Sequence, residues 1–148
     1  MKSTDGFFVR DYQPVDFDEV ENFWNANGLG GRHRGDTALT IQETLDAGGH
    51  LLVLCNDSAE IIGTSWLTND KRRTYLHHFG IAEPYRGKGL SKILLEASLK
   101  LAAKDGYQLK IEVHRNNHIA LNLYESAGFK PLGDYDVFII RDMASFGE

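Results

Sequence analysis

The chain contains a single cysteine, Cys55, so no intramolecular disulfide can form, and a reducing, cytoplasmic setting is the expectation. Cys55 closes the apolar run LLVLC, where a small buried hydrophobe is favoured over a catalytic thiol. Long apolar runs are also missing: none approaches the roughly 18 residues of a membrane span, and the opening MKSTDGFF lacks the apolar stretch of a secretory signal. An excess of cations is missing too. With 16 Lys and Arg against 21 Asp and Glu, the formal charge of -5 argues against non-specific grip on nucleic acid or anionic membrane. No HExxH or CxxC occurs, and the adjacent His77 and His78 on a strand cannot share one ion, so no metal is expected. Repeats, low-complexity segments and linkers are lacking. The 148 residues therefore read as one domain, 1–148, with a single sizeable core.

What is present has the rhythm of alternating strands and helices. Phe7–Arg10 is a short apolar strand, after which Asp16 can cap a helix striped by Phe17, Val20, Phe23 and Trp24 and ended at Asn27-Gly28. Asp36 or Thr37 can start a second helix that stops at Gly48-Gly49. Leu51–Cys55 and Ile61–Leu67 make a hairpin across Asn56-Asp57-Ser58, and Tyr75–Ile81 is a further strand. A long amphipathic helix begins within RGKGLSK and stops at Gly106, followed by the alternating strand Leu109–Val113. Ile119–Ala127 is a last helix closed by Gly128, and Phe129–Leu132 and Val137–Ile140 are expected as the last strands. The order predicts an α/β (α+β) fold around a mixed sheet in which only the middle β-α-β crossover need be parallel.

In Arg86-Gly87-Lys88-Gly89-Leu90-Ser91 a strand runs out, turns through two glycines and enters a helix. The unpaired N–H groups of a helix start and the positive end of its dipole converge there, an arrangement that suits a phosphate. A Cβ at Gly87 or Gly89 would stand between backbone and anion, and the turn can require positive φ. The spacing excludes a Walker loop, which needs GxxxxGK before Ser or Thr, and a dinucleotide fingerprint, because Gly87-Lys88-Gly89 is followed by Leu90, Ser91 and Lys92. A plain helix start with surface cations remains open on this loop alone.

Taken with what lies downstream, YRGKGLSK after the strand FGI resembles the R/QxxGxG/A motif of the GCN5-related N-acetyltransferase (GNAT) superfamily. Arg86 and Gly89 match, and Ser91 departs from the final Gly or Ala. NHIALNLYESAGF, 117–129, is similar to the family's NxxAxxLYxxxGF signature, with Asn117, Ala120, Leu123, Tyr124, Gly128 and Phe129 in register. The resemblance implies a mixed, mostly antiparallel sheet with helices on both faces and a β-α-β site for acetyl-coenzyme A. It places the pyrophosphate on Arg86, Gly87, Lys88, Gly89, Leu90, Ser91 and Lys92. It also places the pantetheine arm along the main chain of Phe79, Gly80 and Ile81, and a cofactor hydrogen bond at Asn117, which is equally suited to cap the following helix.

Acetyl transfer from a thioester to an amine needs a neutral amine, a stabilised oxyanion and a proton for the departing thiolate. The resemblance implies that the Tyr124 phenol, protonated at neutral pH with an ordinary pKa of about 10, supplies that proton. Two candidates stand for the base: Glu112 on the polar face of LKIEV, and His77 on the strand YLHHFGI, where His77 and His78 are expected on opposite faces. Trp24 and the loop GLGGRHRG are implied as the acceptor side, and Arg32 and Arg34 there would favour a carboxylate or phosphate on the acceptor. A solvated loop is the plainer reading of the same residues. The function implied is an N-acetyltransferase acting directly, in a ternary complex, on a primary amine of a small molecule, protein or peptide. The rival is a non-catalytic acyl-coenzyme A sensing module. Either a monomer or a homodimer is compatible with it.

Overall fold

The computed structural model describes residues 4–147, and the chain falls into two compact units, one running to Glu112 and the other beginning at Val113. In chain order the first unit holds β1 (Phe8–Asp11), α1 (Phe17–Ala26), α2 (Ala38–Asp46), β2 (His50–Cys55), β3 (Ile61–Asn69), β4 (Arg73–Ile81), α3 (Leu90–Asp105) and β5 (Gln108–Ile111). The strands lie in the order β1-β2-β3-β4-β5. The first three pairings are antiparallel, and β4 and β5, joined through α3, are parallel. This is the mixed sheet that the order of elements predicts. Among the described residues, no helix is long and apolar enough to cross a membrane.

Both sheet faces are covered, which explains why β2 reads as an unbroken apolar run instead of an alternating one. Leu51, Val53 and Cys55 turn to a cluster with Val20, Phe23 and Trp24 of α1 and Ile41 of α2, whereas Leu52 and Leu54 turn to Leu90 and Leu94 of α3. Each fully buried aliphatic side chain contributes about 1.5–3 kcal/mol, so the two clusters fix the register of β2 and β3 firmly. Cys55 is fully buried, a packing position.

Local signals behave unequally. Thr37 caps α2 by accepting a hydrogen bond from the Thr40 N–H at 3.1 Å. Asp16 precedes α1 but makes no cap there: its carboxylate accepts two bonds from Arg10, at 2.7 and 2.9 Å, and one from the Gln13 N–H at 2.8 Å. A two-pronged charged partner outcompetes the neutral helix end.

Two features set β4 apart, a short ladder and a kink. Its parallel ladder with β5 covers only Arg73–Leu76, while β4 itself runs on to Ile81 beside β3. Among the described residues, the ladder with β5 does not extend past Leu76. Between Thr64 and Trp66 the β3–β4 register also shifts, because Trp66 faces His77 and Thr64 faces Gly80, setting two residues against one. His78 sits in this bulge with φ 47.

In the second unit α4 (His118–Ser126) is capped by Asn117, whose side chain accepts from the Ala120 N–H at 3.2 Å, and Gly128 follows with φ 109. The expected last strands, Phe129–Leu132 and Val137–Ile140, are not formed: no strand occurs among described residues 129–147. Their apolar composition suits a strand, but β structure needs a ladder partner, and Phe138 remains 90 % exposed.

Candidate functional site

The glycine loop has the form its sequence demands. After a 3-10 turn, Glu83–Tyr85, the chain passes through Gly87 (φ 76) and Gly89 (φ 83), both in the left-handed region, and enters α3 at Leu90. Leu90 is buried in the core cluster under α3, so the helix start is anchored while Arg86, Gly87, Lys88 and Gly89 are exposed. A Cβ built at Gly87 or Gly89 meets no atom within 4 Å. The space above the loop is open, and glycine is required there by backbone conformation, not by crowding from the protein. Ser91 and Lys92 lie in the first turn of α3, where backbone N–H groups lack intrahelical acceptors. Exposed N–H groups at a helix start are the kind of group that suits an anion.

Arg86 connects the loop to the sheet: its Nε–H donates to the Ile81 carbonyl at 2.9 Å. Lys88 folds back so that its ammonium stands 5.5 Å from the centre of the Tyr85 ring. Phe79, Gly80 and Ile81 are the last residues of β4, and Gly80 is held close, since a Cβ there would come within 3.0 Å of Leu29 Cδ1. The end of β4 and the glycine loop are thus joined by the single 3-10 turn Glu83–Tyr85.

The bulge alters the arrangement expected for the histidine pair. In place of opposite faces, both rings lie on the Trp66 side, with centroids 6.3 Å (His77) and 5.3 Å (His78) from the indole. The extra residue breaks the strict alternation of a strand. A short relay holds the bulge in place: the Trp24 indole N–H donates to Thr64 Oγ1 at 2.9 Å, and the Thr64 hydroxyl donates to the His78 carbonyl at 2.6 Å. The His78 ring packs edge-on to Trp24 at 4.7 Å, and its Nε2 lies 2.7 Å from Asp36 Oδ2. That carboxylate oxygen also accepts from the Gly31 N–H at 2.9 Å.

His77 is exposed, and its Nε2 is 2.8 Å from Thr68 Oγ1. Crowding by its neighbours and the nearby His78 hold its pKa below the usual histidine range, partly offset by Glu112 and Asp36. Glu112 is exposed just beyond β5 and acts on His77 through charge. These two sequence candidates are therefore electrostatic neighbours.

On the expected acceptor side, Trp24 has 0 % exposure, so it backs the site from within the core and does not line it. Arg32 is drawn onto α1: its Nε–H donates to Glu21 at 2.9 Å and its guanidinium lies over Phe17 at 5.2 Å. Arg34 is exposed in the same 3-10 turn. Sequence reasoning offers Asp36 only as a helix start and does not single out Gly30. The available signal is the glycine-rich loop itself, where Gly30 lies against Asp36 and His78 so closely that any Cβ would overlap both.

Within the second unit, Asn117 serves as the α4 cap. Tyr124 is buried, its ring lies edge-on to Phe129 at 5.4 Å, and burial pushes its pKa up to about 12. The phenol is thus kept protonated and able to donate.

The family model described as Acetyltransferase (GNAT) family matches residues 17–129. Among solved structures, the chain is similar to an acetyltransferase of the GNAT family from Staphylococcus aureus Mu50, with 18 % identity over 88 % of each chain and a TM-score of 0.73. It is similar to a GNAT family acetyltransferase from Elizabethkingia anophelis with acetyl-CoA bound, with 21 % identity over 86 % of this chain and 78 % of that one and a TM-score of 0.60. It is also similar to AAC(6')-Iy in complex with the bisubstrate analogue CoA-S-monomethyl-acetylneamine, with 16 % identity over 92 % of this chain and 97 % of that one and a TM-score of 0.71. These identities carry the fold, and the family match extends over most of the sequence: the chain belongs to the GNAT acetyltransferase family.

Proposed function

We propose that the protein transfers the acetyl group of acetyl-coenzyme A to a primary amine of a small molecule, protein or peptide, directly and in a ternary complex. The observation that carries this is the left-handed glycine loop ahead of α3, tied by the Arg86 bond to Ile81 at the end of β4, which runs on past its ladder with β5. The strand offers main-chain groups to an extended amide-bearing arm, and the loop offers N–H groups to a pyrophosphate. Arg86, Gly87, Lys88, Gly89, Leu90, Ser91 and Lys92 hold the phosphates in this reading, and Phe79, Gly80 and Ile81 hold the pantetheine. The thioester supplies the activated acetyl group.

The rest of the chemistry falls to side chains. A main-chain N–H at the end of β4 polarises the thioester carbonyl, and Tyr124 protonates the departing sulfur. Glu112 and His77 are the sequence candidates for receiving the amine proton. No acyl-enzyme is required, and Cys55, fully buried with its thiol pKa raised by that burial, has no part.

Thiol release measured with a panel of amines, covering polyamines, aminoglycosides, lysine peptides and protein N-termini, tests this reading. Release that depends on both substrates, with double-reciprocal plots that intersect, is the expected outcome. Binding of acetyl-coenzyme A without turnover of any amine would instead support the sensing module.

A further inference from the structure

The Asp36–His78 pair has no role in the reading above, although His78 shares β4 with the residues assigned to the pantetheine arm. His78 occupies the β4 bulge immediately ahead of Phe79, and its left-handed backbone costs on the order of 1–3 kcal/mol unless the surroundings hold it. They do hold it. The Thr64 hydroxyl pins its carbonyl at 2.6 Å, Trp24 and Trp66 stand edge-on to its ring at 4.7 and 5.3 Å, and Asp36 meets Nε2 at 2.7 Å. Asp36 is itself fixed by the Gly31 N–H and is 9 % exposed. With its proton on Nε2 and donated to Asp36, the imidazole presents a lone pair on Nδ1. Among the described residues Nδ1 makes no hydrogen bond, and it is not sealed from solvent, since Thr74 Oγ1 is the buried side-chain atom left without a partner.

We infer that His78, oriented by Asp36, is the general base that takes the proton from the acceptor amine. The inference rests on the acetyltransferase reading and sets His78 in place of both of that reading's candidates for the base, His77 and Glu112. His77 is adjacent but has no carboxylate partner to set its tautomer, and its ring nitrogen is engaged with Thr68. Glu112 is exposed beyond β5 and makes no hydrogen bond among the described residues. The balance of the step is simple. The ammonium form of the acceptor gives one proton to Nδ1, and the nitrogen lone pair then forms the C–N bond to the thioester carbon. The C–S bond breaks with its electron pair on sulfur. The sulfur takes a proton through Tyr124, replaced from the nitrogen, and His78 returns its own proton to solvent. Asp36 stabilises the imidazolium without being protonated.

Asp36, ahead of α2, is the charged group bonded to His78; His77, beside it on β4, is influenced by His78, Glu112 and Asp36, and Glu21 of α1 is taken up by Arg32. Of the carboxylates, Asp36 is the one bonded to the ring, so its removal leaves the tautomer and orientation of the imidazole unset.

The experiment is the pH profile of kcat/KM for wild type, His78→Gln and Asp36→Asn, with acetyl-coenzyme A affinity and thermal melts measured alongside. For His78→Gln, kcat/KM should fall by about 10²–10⁴-fold with loss of the acidic limb and unchanged acetyl-coenzyme A affinity. For Asp36→Asn, kcat/KM should fall by about 10²-fold with acetyl-coenzyme A affinity unchanged, because the imidazole is no longer held with its Nδ1 lone pair free. A His78→Gln enzyme that keeps the wild-type rate and limb overturns the base while leaving the transferase intact. If that variant does not fold, an unchanged kcat/KM in Asp36→Asn overturns the dyad, and a lowered one at unchanged acetyl-coenzyme A affinity supports it. A wild type that binds acetyl-coenzyme A yet acetylates no amine overturns both readings together.

Discussion

Arg86 Nε and the carbonyl oxygen of Ile81 are 2.9 Å apart, so the last residue of β4 and the first residue of the glycine loop are held as one piece. Because Arg86 is exposed, the bond contributes only about 0–1 kcal/mol to stability. Truncation in Arg86→Ala should weaken acetyl-coenzyme A binding by roughly tenfold or more while costing only a small fall in Tm, because Arg86 is otherwise exposed. Calorimetric titration of the variant checks this, and an unchanged Kd would detach Arg86 from the cofactor site.

Gly87 and Gly89 face open space but adopt φ 76 and φ 83. A left-handed alanine costs about 1–2 kcal/mol, so each Gly→Ala change should lower stability by that amount with no steric clash to relieve. Urea unfolding gives the stability term. Acetyl-coenzyme A affinity should fall further, because the new Cβ projects into the open cradle.

Tyr124 is kept protonated by burial, with a pKa of about 12. Tyr124→Phe should lower kcat by about 10²–10³-fold, while acetyl-coenzyme A affinity changes by less than about threefold. In the wild type the phenol should cause no alkaline loss of rate below its ordinary pKa of about 10. Steady-state kinetics of both proteins across the alkaline range test the two statements.

The Arg10–Asp16 pair is a stability element away from the site. The Arg10 hydrogen bonds hold the Asp16 carboxyl below the usual carboxylate range. A depressed folded pKa means that the contribution is present above the unfolded value of about 3.9 and is lost as pH falls through the folded value. Asp16→Asn should therefore cost about 1–3 kcal/mol at neutral pH, with the difference from wild type shrinking in acid. Chemical denaturation at several pH values measures it.

Much of this architecture is legible in the chain because periodicity and turn residues agree. Val20, Phe23 and Trp24 announce α1, and Gly106 and Gly128 mark helix ends with the positive φ they are expected to supply. The bulge at His78 is not legible, since it arises from long-range pairing of Thr64 with Gly80 and Trp66 with His77, and no local residue signals it. The Asp36 contact is hidden for the same reason: 42 residues separate it from His78. Asp16 reads as a helix cap but is claimed by Arg10, and Val137–Ile140 has strand composition without a ladder partner. Local chemistry announces what an element prefers, and tertiary competition decides which preference is met.

Calorimetric titration of acetyl-coenzyme A into the wild-type protein, repeated with Arg86→Ala, tests the central claim most directly. The account predicts saturable binding by the wild type with a Kd between about 1 μM and 1 mM, weakened in the variant. Absence of both heat and thermal shift at millimolar ligand, in protein that melts cooperatively, would contradict it.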